Sequence, residues 1–118
     1  METKQDLGST ILATIRQVEN KTCLKTLEKL KSVLEQVATD NELDVKAKSG
    51  HQFEPEGASM VFILGSSHLC VHTWPEYSSM TVDIHMCSEC GLTQALAVCE
   101  SIKNATKGII GTQNVIHH

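Results

Sequence analysis

The stretch Gly65-Ser66-Ser67-His68-Leu69-Cys70-Val71-His72-Thr73-Trp74-Pro75-Glu76 gathers two adjacent serines, two histidines, a cysteine and the only tryptophan of the chain. From Ser67 to Thr73 its character alternates, with Leu69 and Val71 on one face and His68, Cys70 and His72 on the other, the period of a half-buried strand. An apolar run from Met60 to Leu64 leads into it and Pro75 stops it. Nucleophiles and proton carriers therefore collect at the rim of a strand, and the rest of the chain reads as scaffold.

Working outward, Ala58 to Leu64 reads as a fully apolar strand and Trp74 to Ser78 as a turn. Ser79 to Cys87 alternates again, Met80, Val82, Ile84 and Met86 against Thr81, Asp83 and His85, and Glu89 to Gly91 breaks the pattern. Leu92 to Thr106 predicts a helix ended by Gly108 as a C-cap glycine, and Ile109 to Ile116 a last strand. Upstream, Ser49 to Gly57 holds Pro55 and two glycines and reads as a loop. Leu43, Val45 and Ala47 alternate with charged residues as a half-buried strand would. Leu24, Leu27, Leu30, Leu34 and Val37 recur at helical spacing, predicting one helix from Cys23 to Asp40-Asn41, with a cap from the Asn20–Thr22 turn. Thr10 to Val18 reads as the first strand. Two helices among antiparallel strands define an α+β fold: a two-layer α/β sandwich with both helices on one face of an antiparallel sheet.

The totals narrow the class. A chain of 118 residues with 41% hydrophobic and 3% aromatic content makes one domain with an aliphatic core, of a size that often gains from pairing with a second copy. Net charge is −4 and no basic face is visible, which argues against nucleic acid. No run approaches a membrane span, and Met1 to Asp6 lacks the apolar core of a signal peptide. Five cysteines, an odd number, predict reduced thiols in a cytoplasmic compartment.

The chemistry starts at Ser66-Ser67. A hydrolase serine wants a Gly-x-Ser-x-Gly elbow entering a helix, and here the serines enter a strand. Another chemistry fits: a serine hydroxyl attacks the preceding carbonyl, the peptide becomes an ester, elimination leaves dehydroalanine, and hydrolysis leaves a pyruvoyl group at a new N-terminus. From these two residues alone a polar tight turn is the better reading. His72, expected close enough to the serine pair to move a proton, is the acid–base candidate; His68 and His85 are read as histidines hydrogen-bonded within the fold. Cys87, protonated at neutral pH, can donate to a carbanion. Cys87-Ser88-Glu89-Cys90 is also a Cys-x-x-Cys, a weak signal for a redox pair or half a zinc site completed by His85 or His117-His118. No metal is expected.

Taken together, Phe62 to Cys87, with Ser-His-Leu-Cys-Val-His-Thr-Trp-Pro-Glu-Tyr followed by Val82-Asp83 and Cys87, resembles the small prokaryotic S-adenosylmethionine decarboxylases, pyruvoyl enzymes of polyamine synthesis. Gly8 to Ile15 is similar to the family's first strand, and His51 to Ser59 to its Phe-x-Pro-x-Gly-x-Ser loop. The resemblance implies that the proenzyme cuts itself between Ser66 and Ser67 into a 1–66 β chain and a 67–118 α chain. Ser67 would become the pyruvoyl group, which holds the substrate amine as a Schiff base. His72 and Ser59 would serve processing and Cys87 would donate the catalytic proton. Trp74 and Glu76 would line the substrate pocket, in a two-layer sandwich acting as a homodimer. Two positions depart from the family pattern: Ser66 stands where glutamate is usual, and Ser78-Ser79 where a Gly-aromatic pair is usual. They leave the substrate open among S-adenosylmethionine, arginine and ornithine, and keep in view a non-processing homologue that only binds a ligand or partner.

Overall fold

The structure, a computed structural model, describes residues 6–87 and 91–118. In chain order the elements are β1 (Ser9–Arg16), α1 (Thr22–Lys25), α2 (Leu27–Asp40), β2 (Ala47–Gln52), β3 (Ala58–Leu64), β4 (Ser67–Trp74), a 3₁₀ turn (Pro75–Tyr77), β5 (Ser79–Met86), α3 (Gly91–Thr106) and β6 (Ile109–His117). The strands form one antiparallel sheet in the order β2-β3-β4-β5-β1-β6. The helices cover one face. Leu30, Leu34 and Val37 of α2 and Ala95, Val98, Cys99 and Ile102 of α3 close over Ile11, Ile15, Phe62, Leu69, Val71, Met80, Val82, Ile84 and Met86. This is the expected α+β sandwich, and the strict alternation of β4 and β5 is what sends these side chains inward.

The register lines up the other, helix-free face in transverse rows. One runs His51, Ser59, His72, Thr81, Thr14, Thr112; the next runs Ser49, Val61, Cys70, Asp83, Leu12, Asn114; a third runs Ile63, His68, His85, Thr10, Ile116. The candidate histidines and Cys70 therefore share one open surface. No helix among the described residues is long and apolar enough to cross a membrane.

Four local expectations are corrected. The stretch around Leu43 and Val45 is a connection packed on the core, and the strand lies later, at Ala47–Gln52, running from the end of the expected strand into the expected loop. This edge strand is exposed along most of its length, so it carries no hydrophobic alternation to read. Its Gly50 is required by packing: a Cβ there would sit 2.6 Å from Leu27 Cδ1 and 2.7 Å from Met60 Sδ. The single helix expected from Cys23 is two, split at Thr26, which is extended and whose side chain accepts from Lys29 N–H at 3.2 Å as the cap of α2. The cap expected from Asn20–Thr22 is absent, since Lys21 starts α1 without a side-chain bond. At the end of α3 the left-handed residue is Lys107, φ 55°, and Gly108 follows it against Ile15.

Thr73 ties the layers together. Its buried hydroxyl donates to Leu24 O at the end of α1 at 2.7 Å and accepts from Ala58 N–H of β3 at 2.9 Å. Thr73→Val keeps the shape and strands both partners, so we expect a loss of about 1–3 kcal/mol. The check is a lower urea midpoint at unchanged slope.

Candidate active site

The chain brings the candidate residues together as two groups. The first is built on the β3–β4 hairpin, whose two-residue turn, Gly65-Ser66, is opened by Gly65 at φ 67°. Ser66 is exposed, whereas Ser67 is only 6% exposed and points to the helix side with Leu69 and Val71. Its Oγ accepts from the Cys87 N–H at 2.9 Å. Cys87 follows β5 and is half-buried, so the hydroxyl and the residue carrying the thiol are neighbours.

The second group lies on the open face. Ser59 of β3 and His72 of β4 are cross-strand partners, and Ser59 Oγ meets His72 Nδ1 at 2.5 Å. Cys70 Sγ stands 3.7 Å from the other ring nitrogen, Nε2. A cavity of about 290 Å³ beside them is lined by Phe53, Glu56, Ser59, His72, Trp74 and Glu76 among others. A second, of about 320 Å³, extends along the sheet past His72, Cys70 and Asp83 to Thr14 and Asn114. The first cavity thus collects Ser59, His72, Trp74 and Glu76. Phe53 joins them, a residue singled out in the sequence only as part of a loop motif. The signal was composition: of four aromatic side chains only Phe62 is buried, and Phe53 and Trp74, 46% and 45% exposed, flank this cavity.

The expected proximity of His72 to the serine pair is not found within the chain. Ser67 and His72 are five residues apart on one strand. An odd separation puts them on opposite faces, and the strand rise separates them by about 16 Å. His68 and His85 do find partners, Asp83 Oδ1 at 3.1 Å and Thr10 Oγ1 at 3.0 Å, though on the open face and not in the interior.

The thiols differ by environment. Burial pushes Cys23 up to about 11 and also raises Cys99, as expected of core packing. Cys70 is raised by burial first and by the Asp83 carboxylate second, so it is a protonated thiol at neutral pH. No group of three His, Cys, Asp or Glu among the described residues is arranged to hold a metal ion. Cys90, the second cysteine of the Cys-x-x-Cys, lies outside the described residues.

An antiparallel sheet backed on one face by helices, with serine, cysteine and histidine gathered along one hairpin, defines a two-layer α/β sandwich. The S-adenosylmethionine decarboxylase family model matches residues 10–109. The S-adenosylmethionine decarboxylase proenzyme of Thermoplasma volcanium is 36% identical over 86 residues, 73% of this chain and 65% of that protein. The proenzyme of Thermodesulfovibrio yellowstonii is 36% identical over 83 residues, 70% of this chain and 61% of that protein. The match thus spans just under two thirds of these relatives' length. The crystal structure of the adenosylmethionine decarboxylase from Aquifex aeolicus superposes with a TM-score of 0.81 at 27% identity, covering 98% of this chain and 91% of that one. The chain belongs to the S-adenosylmethionine decarboxylase family.

Proposed function

We propose that this chain is a self-processing, pyruvoyl-dependent decarboxylase of S-adenosylmethionine, serving polyamine synthesis in the cytoplasm. The observation that carries the reading is the paired placement of Ser67 with Cys87 and of Ser59 with His72 around one hairpin. The residues fit the group: Ser67 begins a strand directly after a tight turn, with its hydroxyl beside the backbone of Cys87.

In processing, Ser67 Oγ adds to the Ser66 carbonyl carbon, the Ser66–Ser67 peptide bond breaks, and an ester forms with a free amine on Ser67. Loss of the Ser67 α-proton expels the Ser66 carboxylate. Water then enters and ammonia leaves, giving a 1–66 chain and a 67–118 chain with a pyruvoyl end. That carbonyl supplies the electron sink that an amino-acid carboxylate needs to leave as carbon dioxide. Cys87 Sγ–H delivers the proton that replaces the carboxylate on the α-carbon.

His72 takes the α-proton of Ser67, with Ser59 holding its ring, and the separation within one chain means that the imidazole comes from a second copy. The open sheet face offers the contact. A two-fold pairing of two such faces, with its axis crossing β4 near Cys70, lays the hairpin of one copy beside Ser59 and His72 of the other. The functional unit is then a homodimer with two shared sites.

The substrate cavity favours S-adenosylmethionine over arginine or ornithine. Phe53 and Trp74 offer aromatic surface to a base, and Glu56 and Glu76 offer carboxylates to ribose hydroxyls and a sulfonium. Glu76→Gln in the processed enzyme is expected to raise KM about 10- to 100-fold, the loss of one charge-assisted hydrogen bond, with kcat moved less. Release of labelled carbon dioxide from carboxyl-labelled S-adenosylmethionine, against arginine and ornithine, tests the whole reading; no release from any of them by cleaved protein overturns it.

A further inference from the structure

Both nitrogens of the His72 ring are occupied, and the second occupant has no assigned role. Nδ1 faces Ser59 at 2.5 Å and Nε2 faces Cys70 Sγ at 3.7 Å, so a serine, an imidazole and a thiol lie in line on the open face. A neutral imidazole has one donor and one acceptor nitrogen, and the group on each nitrogen decides which is which. A serine hydroxyl can donate or accept, so Ser59 leaves the choice open. The thiol does not: sulfur is a poor acceptor, and a thiol beside an imidazole serves best as the donor.

We propose that Cys70 is a positioning residue for the processing reaction: its S–H donates to the Nε2 lone pair of His72, which holds the ring in the Nδ1–H form, with Nδ1–H donating to Ser59 and Nε2 kept unprotonated as the base. The surroundings keep the thiol protonated for this purpose. Cys70 is half-buried and lies across the strand pair from Asp83, and both the burial and the carboxylate oppose thiolate formation. Asp83 is itself engaged with His68 at 3.1 Å, which leaves the thiol free to turn to His72. Both β4 residues point to the same side, two positions apart, so the contact is built into the strand and survives side-chain motion in the neighbouring loops. As a weak donor, the thiol also gives up Nε2 when a substrate proton has to be taken. A stronger donor such as an ammonium group would not release it so readily.

The inference rests on the role proposed for His72 in self-cleavage, so the test has one arm independent of it. In an uncleavable Ser67→Ala background, ¹⁵N spectra of the histidine rings report which His72 nitrogen carries the proton. Cys70 is expected to give the Nδ1–H form, and both Cys70→Ala and Cys70→Ser, which lack a one-way donor, a mixture. With Ser67 intact, the cleavage rate of Cys70→Ala is expected to fall about tenfold, a modest part of the roughly 10²–10⁴-fold that a positioned acid–base group supplies. Cys70→Ser, which can donate but is not confined to donating, should recover only part of that loss, and the urea midpoints of all three should agree. An Nε2–H tautomer in the parent, or a tautomer or cleavage rate unmoved by Cys70→Ala, overturns the inference. A parent that never cleaves while its tautomer follows Cys70 leaves the contact standing and removes the reaction proposed for it.

Discussion

Purified protein is expected to separate into two fragments, residues 1–66 and 67–118, and Ser67→Ala to remain one chain of 118 residues. The effect is all or none, because alanine has no hydroxyl to add to the Ser66 carbonyl and no leaving group for elimination. Mass distinguishes this route from a protease nick in an exposed hairpin. Ordinary hydrolysis adds one water, so the fragment masses sum to about 18 Da above the parent. The serine route takes in water and loses ammonia, so the sum lies about 1 Da above it. The 67–118 fragment should also resist N-terminal sequencing and react with hydrazides, because its end is a ketone and not an amine. Fragments summing to the larger excess, or cleavage persisting in Ser67→Ala, would show that Ser67 does not cut the chain. The unusual Ser66 adds weight to the test. The atom attacked is its backbone carbonyl, present in any residue, so the prediction holds without the glutamate usual at that position.

How much could be read in advance depended on what each residue answers to. β4 and β5 were legible because half-buried strands must alternate, and Leu69, Val71, Met80, Val82, Ile84 and Met86 do. β2 was not, because an edge strand held mainly by backbone pairing to β3 needs no apolar pattern, and its Gly50 answers to Leu27 and Met60, remote in sequence. The break at Thr26 was hidden for the opposite reason: Leu24, Leu27 and Leu30 keep helical spacing straight through it, and Thr26 looks like any polar residue until its backbone is seen to be extended. At the site, residue types were legible but proximity was not. The same alternation that placed His72 with His68 and Cys70 also placed Ser67 with Leu69, on the other face, so parity already separated the serine from the histidine. Which second surface closes the gap is a property of two chains, and one chain's pattern does not state it.

Mixing two inactive variants is therefore expected to restore cleavage. Ser67→Ala lacks the attacking hydroxyl. His72→Ala lacks the base and should slow cleavage by at least about 10²-fold. If each site draws Ser67 and Cys87 from one copy and Ser59 and His72 from the other, a mixed dimer holds one complete site and one site lacking both residues. The complete site acts on the hydroxyl-bearing chain, so only the His72→Ala polypeptide should be cut. With random pairing of equal amounts, mixed dimers form half the population and about a quarter of all chains should be cleaved. A mass tag on one variant identifies the cut chain, and native mass spectrometry confirms that mixed dimers formed. The Ser67→Ala chain should stay whole and serves as the internal control. If mixed dimers form and nothing is cut while wild-type protein cleaves, the sites are not shared. In that case the hairpin has to cross to the open face of its own sheet for Ser67 to meet His72. If His72→Ala alone cleaves at the wild-type rate, the imidazole is not the base. The arrangement of one strand, with its serine at one end facing in and its histidine at the other facing out, is what makes the shared site the expected result.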